Sequence, residues 1–166
     1  MGITNYEQVD VYPLDDDVKE ELLNLQNECS FVWGTQDHSP MGVIMSYVWR
    51  DGRFWLSATS QRARIRAIRR DPRVTIIVSS VGTKLGPAKS ISVKGRVQIH
   101  EGDETLKTWF YPALSAAILP GNPSAQESFT KLLDSPRRLI LEVTPEKWIT
   151  YDAMKMMAAS ADAYVD

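Results

Sequence analysis

The stretch "MGVIMSYVWRDGRFWLSAT", residues 41–59, decides the fold. Two apolar runs flank Asp51-Gly52, and that dipeptide between strand-like segments is a strong hairpin signal. Met41 to Trp49 reads as a long strand and "FWLSAT" as its return. Upstream, "CSFVWGTQD" reads as a strand through Asp37, with "HSP" as the turn that follows it. The three runs predict a tight antiparallel meander.

Immediately downstream lies "SQRARIRAIRRDPRVTIIV", residues 60–78. Six arginines fall between Arg62 and Arg73, against one acid, Asp71. The whole chain has a net charge of −2, so this basic block is a local feature. Ile65 and Ile68 lie three apart, which suits the buried side of a short helix, and Pro72 ends it. Arg62, Arg66, Arg69 and Arg73 fall on one helical face, whose plainest reading is solvation. Arg64 differs, because in a continuous helix it would sit about 200° from Arg62. For both to meet one ligand, the helix has to begin between them. Thr59 and Ser60 are candidate caps. A helix start with free backbone N–H groups, two hydroxyls and two guanidiniums suits a phosphate. Arginine is apt there because its planar fork can bind two phosphate oxygens at once.

Outside these segments, residues 15–28 predict a helix, with Val18, Leu22 and Leu25 at helical spacing. Asp15, Asp16 and Asp17 fall at its start, where the helix dipole favours acids. "RVTIIVSS" reads as a buried strand and "SISVKGRVQIH" as a half-buried one. Residues 103–119 are helical in composition, with Pro112 expected to break or kink them. Ser124 is the expected cap of a helix "AQESFTKLLD". "RRLILEVTPEKWITYD" reads as one or two strands, and the tail from about residue 153 as frayed. The sum is a mainly β protein of six or seven mostly antiparallel strands with short flanking helices, a small barrel of Greek-key type. At 166 residues it is expected to be one domain, 1–166.

Several function classes are disfavoured by composition. No apolar run approaches the roughly 20 residues of a membrane span. The start, "MGITNYEQVD", lacks the basic-then-apolar order of a signal peptide, and Tyr6 breaks the myristoylation pattern. Cys29 is the single cysteine, so there is no intrachain disulfide or thiolate cluster. The expected location is cytoplasmic, with no membrane association and no metal. A nucleic-acid-binding module is the rival use of the arginines. It needs base-reading side chains and a preceding packed helix, whereas this block lies between strands.

The block "RARIRAIRRDPRV" after "FWLSAT" resembles a segment of the flavin/deazaflavin-dependent oxidoreductases, within the pyridoxamine 5′-phosphate oxidase-like FMN-binding split β-barrel superfamily. The likeness is strongest from about Phe31 to Val78 and continues through "SVKGRVQI" and "RRLILEVTPEKW". Arg64 stands where that family often has lysine, and Ala67 where asparagine is usual. The resemblance implies a homodimer with a flavin-type cofactor at each end of the subunit interface. It implies that Arg62 and Arg64 hold the cofactor phosphate, helped by Thr59 and Ser60. It further implies that the second strand, around Met45, Ser46 and Tyr47, runs along the tricyclic ring. Ser46 stands out on an apolar strand, because a buried hydroxyl needs a partner.

No acid–base pair or nucleophile triad is evident. His38 and His100 share no spacing, and Cys29 at a strand start reads as inert packing. A hydride-carrying cofactor accounts for that lack, since it performs the hard chemistry itself. Trp49, Trp55, Trp109, Tyr111 and Trp148 are candidates for a ring-stacking pocket, and Trp109 and Tyr111 for a substrate wall. The leading reading is a reductase using the deazaflavin coenzyme F-420, or FMN, on a small unsaturated or aromatic molecule. The preference for the deazaflavin rests on the resemblance of the arginine block to the subgroup of that family that uses it, whose cofactor has a long anionic tail for the exposed arginines to meet. The alternative is a non-catalytic flavin-binding or carrier protein of the same fold.

Overall fold

The computed structural model describes residues 12–160. The expectations attached to the first eleven residues, and to the last six, lie outside them. Helix α1 (Asp16–Leu25) is followed by strands β1 (Glu28–Gly34), β2 (Pro40–Arg50) and β3 (Arg53–Thr59). Then come α2 (Ala63–Arg70), β4 (Arg73–Ser79) and β5 (Lys89–Glu101). Helices α3 (Glu104–Ile118) and α4 (Pro123–Leu133), strand β6 (Arg138–Asp152) and α5 (Ala153–Ala159) complete the chain. The six strands close into an antiparallel barrel in the order β1-β2-β3-β6-β5-β4.

The expected meander is present. Asp51 and Gly52 both take positive φ, 54° and 72°, as a two-residue hairpin of the strand-matching type requires. Beyond β3 the barrel departs from sequence order. β3 pairs with β6, some 80 residues on, while β4 returns to pair with β1.

Alternation along the strands sends one set of side chains into the barrel. Phe31, Tyr47, Phe54, Leu56, Ile76 and Leu141 fill its interior and are at most 1% exposed. Ile65 and Ile68 of α2 join this core, as their spacing predicts. A second, smaller core lies outside the barrel wall, where Phe110, Tyr111 and Leu114 of α3 pack on Trp55 and Ile140. That packing holds α3 as one helix through Pro112, which corrects the expectation of a break there. Pro112 is exposed, so water can reach the carbonyl it leaves without a partner. The aromatic residues just before it hold the helix to the sheet.

Two other local expectations change, and the closing segment takes the one-strand form of the two expected. The cap of α4 is Asn122, whose side chain accepts from the Ala125 N–H at 3.1 Å, with Pro123 opening the helix in place of Ser124 capping it. The last strand is one continuous 15-residue element. The segment after it is helix α5, capped by Asp152, in place of a frayed tail.

One glycine is fixed by contact. The β5–β6 register shifts between Lys94 and Gly95. A Cβ at Gly95 would lie 2.6 Å from the Thr144 carbonyl oxygen and 2.9 Å from Val143 Cγ1. Gly95→Ala is therefore expected to destabilise the fold by about 1–3 kcal/mol, as overpacking does. Urea denaturation monitored by tryptophan fluorescence measures it, and an unchanged midpoint would refute this account of the bulge.

Candidate functional site

The register between β2 and β3 ends at Tyr47 opposite Leu56. Beyond that point β2 remains paired with β1 down to Pro40, and β3 remains paired with β6 up to Thr59. The two strands thus part and leave a slot between residues 40–46 and 57–59. Tyr47 donates its backbone N–H to the Asn27 carbonyl at 2.9 Å, on the β1 side. Backbone direction alternates along a strand, so Ser46 and Ile44 direct their N–H and C=O groups to the other edge, into the slot.

At the far end of β3 the chain turns through Thr59 and Ser60 into α2. The Ser60 N–H donates to the Arg137 carbonyl at 2.8 Å, and the Arg62 N–H to the Thr59 carbonyl at 3.1 Å. The cap residue of α2 is Arg62, so the helix begins between Arg62 and Arg64. No side chain caps this helix end and no acid lies in its first turn. The expectation that Thr59 or Ser60 caps it is corrected, because the turn holds both residues one step too early. Neither hydroxyl makes a hydrogen bond among the described residues, so both remain available to a ligand.

Arg64 carries the main electrostatic signal. Its Nε is buried and makes no hydrogen bond among the described residues. Burial, followed by the neighbouring Arg62 charge, holds its pKa below the usual guanidinium value. Two like charges sit together with an unsatisfied donor and, among the described residues, no carboxylate paired to either. That arrangement is costly without an anion and apt for one. Arg69, by contrast, pairs with Glu101, and Arg73 pairs with Asp71 at 2.6 Å. Arg70 donates to the Gly34 carbonyl at 3.3 Å. Two of the four arginines of the expected solvated face, Arg69 and Arg73, are thus engaged in surface ion pairs.

The structure separates the second-strand residues. Met45 and Tyr47 point into the barrel, and the Tyr47 hydroxyl donates to the Leu23 carbonyl at 3.0 Å. Their backbone groups face β1, so neither reaches the slot. Ser46 faces outward and is half-buried, which corrects the expectation of a buried hydroxyl. Ile44, two residues before it, shares its orientation and is 64% exposed. The sequence reading missed Ile44, although period-two alternation from Ser46 points to it.

The expected substrate wall is also revised. Tyr111 is 2% exposed and packs beside Phe110, with burial raising its phenol pKa. Trp109 stacks edge-on against Trp55 at 5.1 Å, with the Arg50 guanidinium 4.4 Å from its ring centre. Both belong to the outer core because α3 lies across the outer face of the sheet. Trp49 and Trp148 are 6.0 Å apart and pack against the barrel interior. Arg138 is a residue the sequence did not flag. It pairs with Thr59 in register, and its Nε is buried without a hydrogen-bond partner among the described residues. His100 Nε2 lies 2.7 Å from buried Glu142, which Arg53 also holds at 2.5 Å. Burial pushes the Cys29 thiol up to about 12, which keeps it protonated and inert. Among the described residues no cluster of three metal-ligating side chains forms. No helix there is long and apolar enough to cross a membrane.

An open strand edge thus lies beside an uncapped, doubly cationic helix start. Residues 17–152 match the family described as pyridoxamine 5′-phosphate oxidase. The chain belongs to that family. No curated protein matches the sequence. Among solved structures, a conserved hypothetical protein from Mycobacterium tuberculosis superposes with a TM-score of 0.72 at 18% identity, covering 86% of this chain and 88% of that one. A protein described as an F420 reductase gives 0.59 at 22% identity, over 78% and 94%. A FAD-binding protein from Mesorhizobium loti gives 0.61 at 19%, over 82% and 94%. These likenesses establish the shared barrel, and the family's solved relatives include proteins named for flavin-type cofactors.

The residues present fit a phosphate-bearing planar cofactor. Arg62 and Arg64 offer charge, Thr59 and Ser60 offer hydroxyls, and Ser46 and Ile44 offer a backbone edge. The unsatisfied Arg64 Nε generates a prediction for the unliganded protein. Arg64→Met should raise its stability by about 1 kcal/mol, because it removes an unpaired buried donor. The same variant should lose affinity for inorganic pyrophosphate. Thermal unfolding with and without pyrophosphate measures both, and a destabilised variant with intact anion binding would contradict the reading.

Proposed function

We infer that this protein is a flavin-type oxidoreductase, using the deazaflavin coenzyme F-420 or FMN to reduce a small unsaturated or aromatic molecule. The observation that carries this reading is the parting of β2 from β3 beside the uncapped arginine pair at the start of α2. When bound, such a cofactor supplies two-electron hydride chemistry. The chain's own contribution is binding and orientation. Arg62 and Arg64 neutralise phosphate, and the free N–H groups of the helix start add to them. The backbone of Ser46 and Ile44 meets a polar ring edge as it would a neighbouring strand. Among the further cations, Arg66 is exposed and makes no ion pair among the described residues, so it is the best placed to meet an extended anionic tail. That feature supports the deazaflavin over FMN.

A second copy of the chain is the proposed partner. Register places Ile44, Ser30, Ile77, Ser92 and Ile149 in one row across the outer faces of β2, β1, β4, β5 and β6. Ile44, Ile77 and Ile149 are 64%, 41% and 59% exposed, and small serines alternate with them. Exposed isoleucines of this kind on the outer barrel wall suit self-association. Ile44 belongs to both the row and the slot, so pairing of subunits and cofactor binding would support each other.

Titration of the purified protein with FMN and with coenzyme F-420, followed by absorbance and fluorescence, tests the cofactor. Saturable binding of the deazaflavin is expected. Arg64→Ala should weaken it by about 1.5–3 kcal/mol, the size of a charge-assisted hydrogen bond. Arg70→Ala should change it little. Arg66→Ala should weaken the deazaflavin but not FMN, more so at low salt because exposed charges are screened. Binding of FMN alone would leave FMN as the cofactor, and binding of neither would refute the proposal. For the partner, sedimentation at micromolar concentration should show a dimer and Ile77→Glu a monomer. A monomeric parent protein would exclude the shared interface.

A further inference from the structure

A groove of about 440 Å³ opens between the end of α1, the middle of β2 and the second half of α3. Its position follows from register. Val48, on its wall, is the next outward residue after Ser46 along β2. Asn27, also on its wall, is the hydrogen-bonded neighbour of Tyr47 and precedes Glu28, which faces Ser46. The groove therefore begins one residue beyond the slot edge formed by Ser46 and Ile44.

Its chemistry differs from that of the other concavities. No charged side chain lines it. The cavity of about 390 Å³ near β4 has Asp71, Arg73, Lys94 and Glu146 on its walls. The small pocket over β1 has Glu28. In the groove the α3 side is made by Ala113, Ala116 and Ala117, which leave room between helix and strand. The opposite side carries outward-facing Val48 and residue Trp49, whose ring turns into the barrel and spends its indole N–H on Glu20 at 2.7 Å. The amide N–H of Asn27 is spent on the Ala117 carbonyl, which ties β1 to α3 and fixes the groove's floor. The Asn27 side-chain oxygen accepts no hydrogen bond among the described residues.

We propose that this groove is the substrate subsite, and that it selects a flat, uncharged molecule with one hydrogen-bond donor. An ionised group placed there would lose water without gaining a counter-charge, a cost that a neutral amide or hydroxyl escapes. The donor meets the Asn27 oxygen, and Ala113 and Ala117 set the thickness the groove admits. The inference rests on the reading of the slot as the cofactor site, since it is the adjoining slot that makes the groove a place for a reacting molecule.

Naphthalene-2-carboxamide and 2-naphthoate form a matched pair of neutral and anionic probes. Each is titrated by calorimetry into the full-length protein, with and without saturating cofactor. The carboxamide is expected to bind at least tenfold more tightly than the naphthoate. Ala117→Leu should reduce carboxamide affinity at least tenfold while cofactor affinity changes less than twofold. Ala113→Leu serves as the second variant and should act in the same direction. Equal or tighter binding of the naphthoate would overturn the proposal, as would carboxamide binding that ignores both variants. A parallel loss of cofactor binding in the variants would also overturn it, by assigning the groove to the cofactor. If neither FMN nor the deazaflavin binds, the cofactor reading fails separately, and the titration without cofactor still decides whether the groove takes a neutral ligand.

Discussion

The arrangement depends on one break in backbone hydrogen bonding. A closed barrel satisfies its strand edges by pairing them, and an unpaired edge in a folded protein is usually covered or blunted. Here β2 and β3 pair through the hairpin and then separate, each kept straight by its other neighbour. The result is a short open edge in an otherwise closed sheet. It has polar groups at strand spacing, a cationic helix start at one end and an uncharged groove near the other.

The cost of that break is met elsewhere in the fold. The barrel interior is densely apolar, and a second core under α3 clamps β3 and β6 from outside. The hairpin at Asp51-Gly52 fixes the closed end of the slot, and the long β5–β6 pairing braces the opposite wall. The Arg62–Arg64 pair is a further local cost, held in place because Ile65 and Ile68 anchor the helix that presents it. Stored strain of this kind, with an unsatisfied donor and paired like charges, is what a ligand relieves on binding.

Apolar surface and open strand edge meet at Ile44. Its backbone lies on the slot edge while its side chain begins the isoleucine row. An aliphatic residue there contributes no specific chemistry, so composition alone gives it no prominence. Its part in the site comes wholly from position, at the crossing of two faces of the sheet.

Local signals were legible in the sequence. The Asp51-Gly52 hairpin, the alternation of β5, the Ile65–Ile68 spacing and the stop at Pro72 act over a few residues, and the structure follows them. The start of α2 between Arg62 and Arg64 entered only as a condition for a shared ligand, since the candidate caps Thr59 and Ser60 lie too early. Ser46 could be found because a polar residue on an apolar strand is conspicuous. Met45 and Tyr47 could not be separated from it without knowing which face is inside. Pairing of β3 with β6, the parting of β2 from β3, and the placing of Arg138 beside Thr59 were decided only by the tertiary structure. So were the burial of Tyr111 and the groove between Val48 and Ala117. These depend on contacts between residues roughly 60–80 positions apart, whose register is set by how two cores fill together, and no short stretch of chain encodes that.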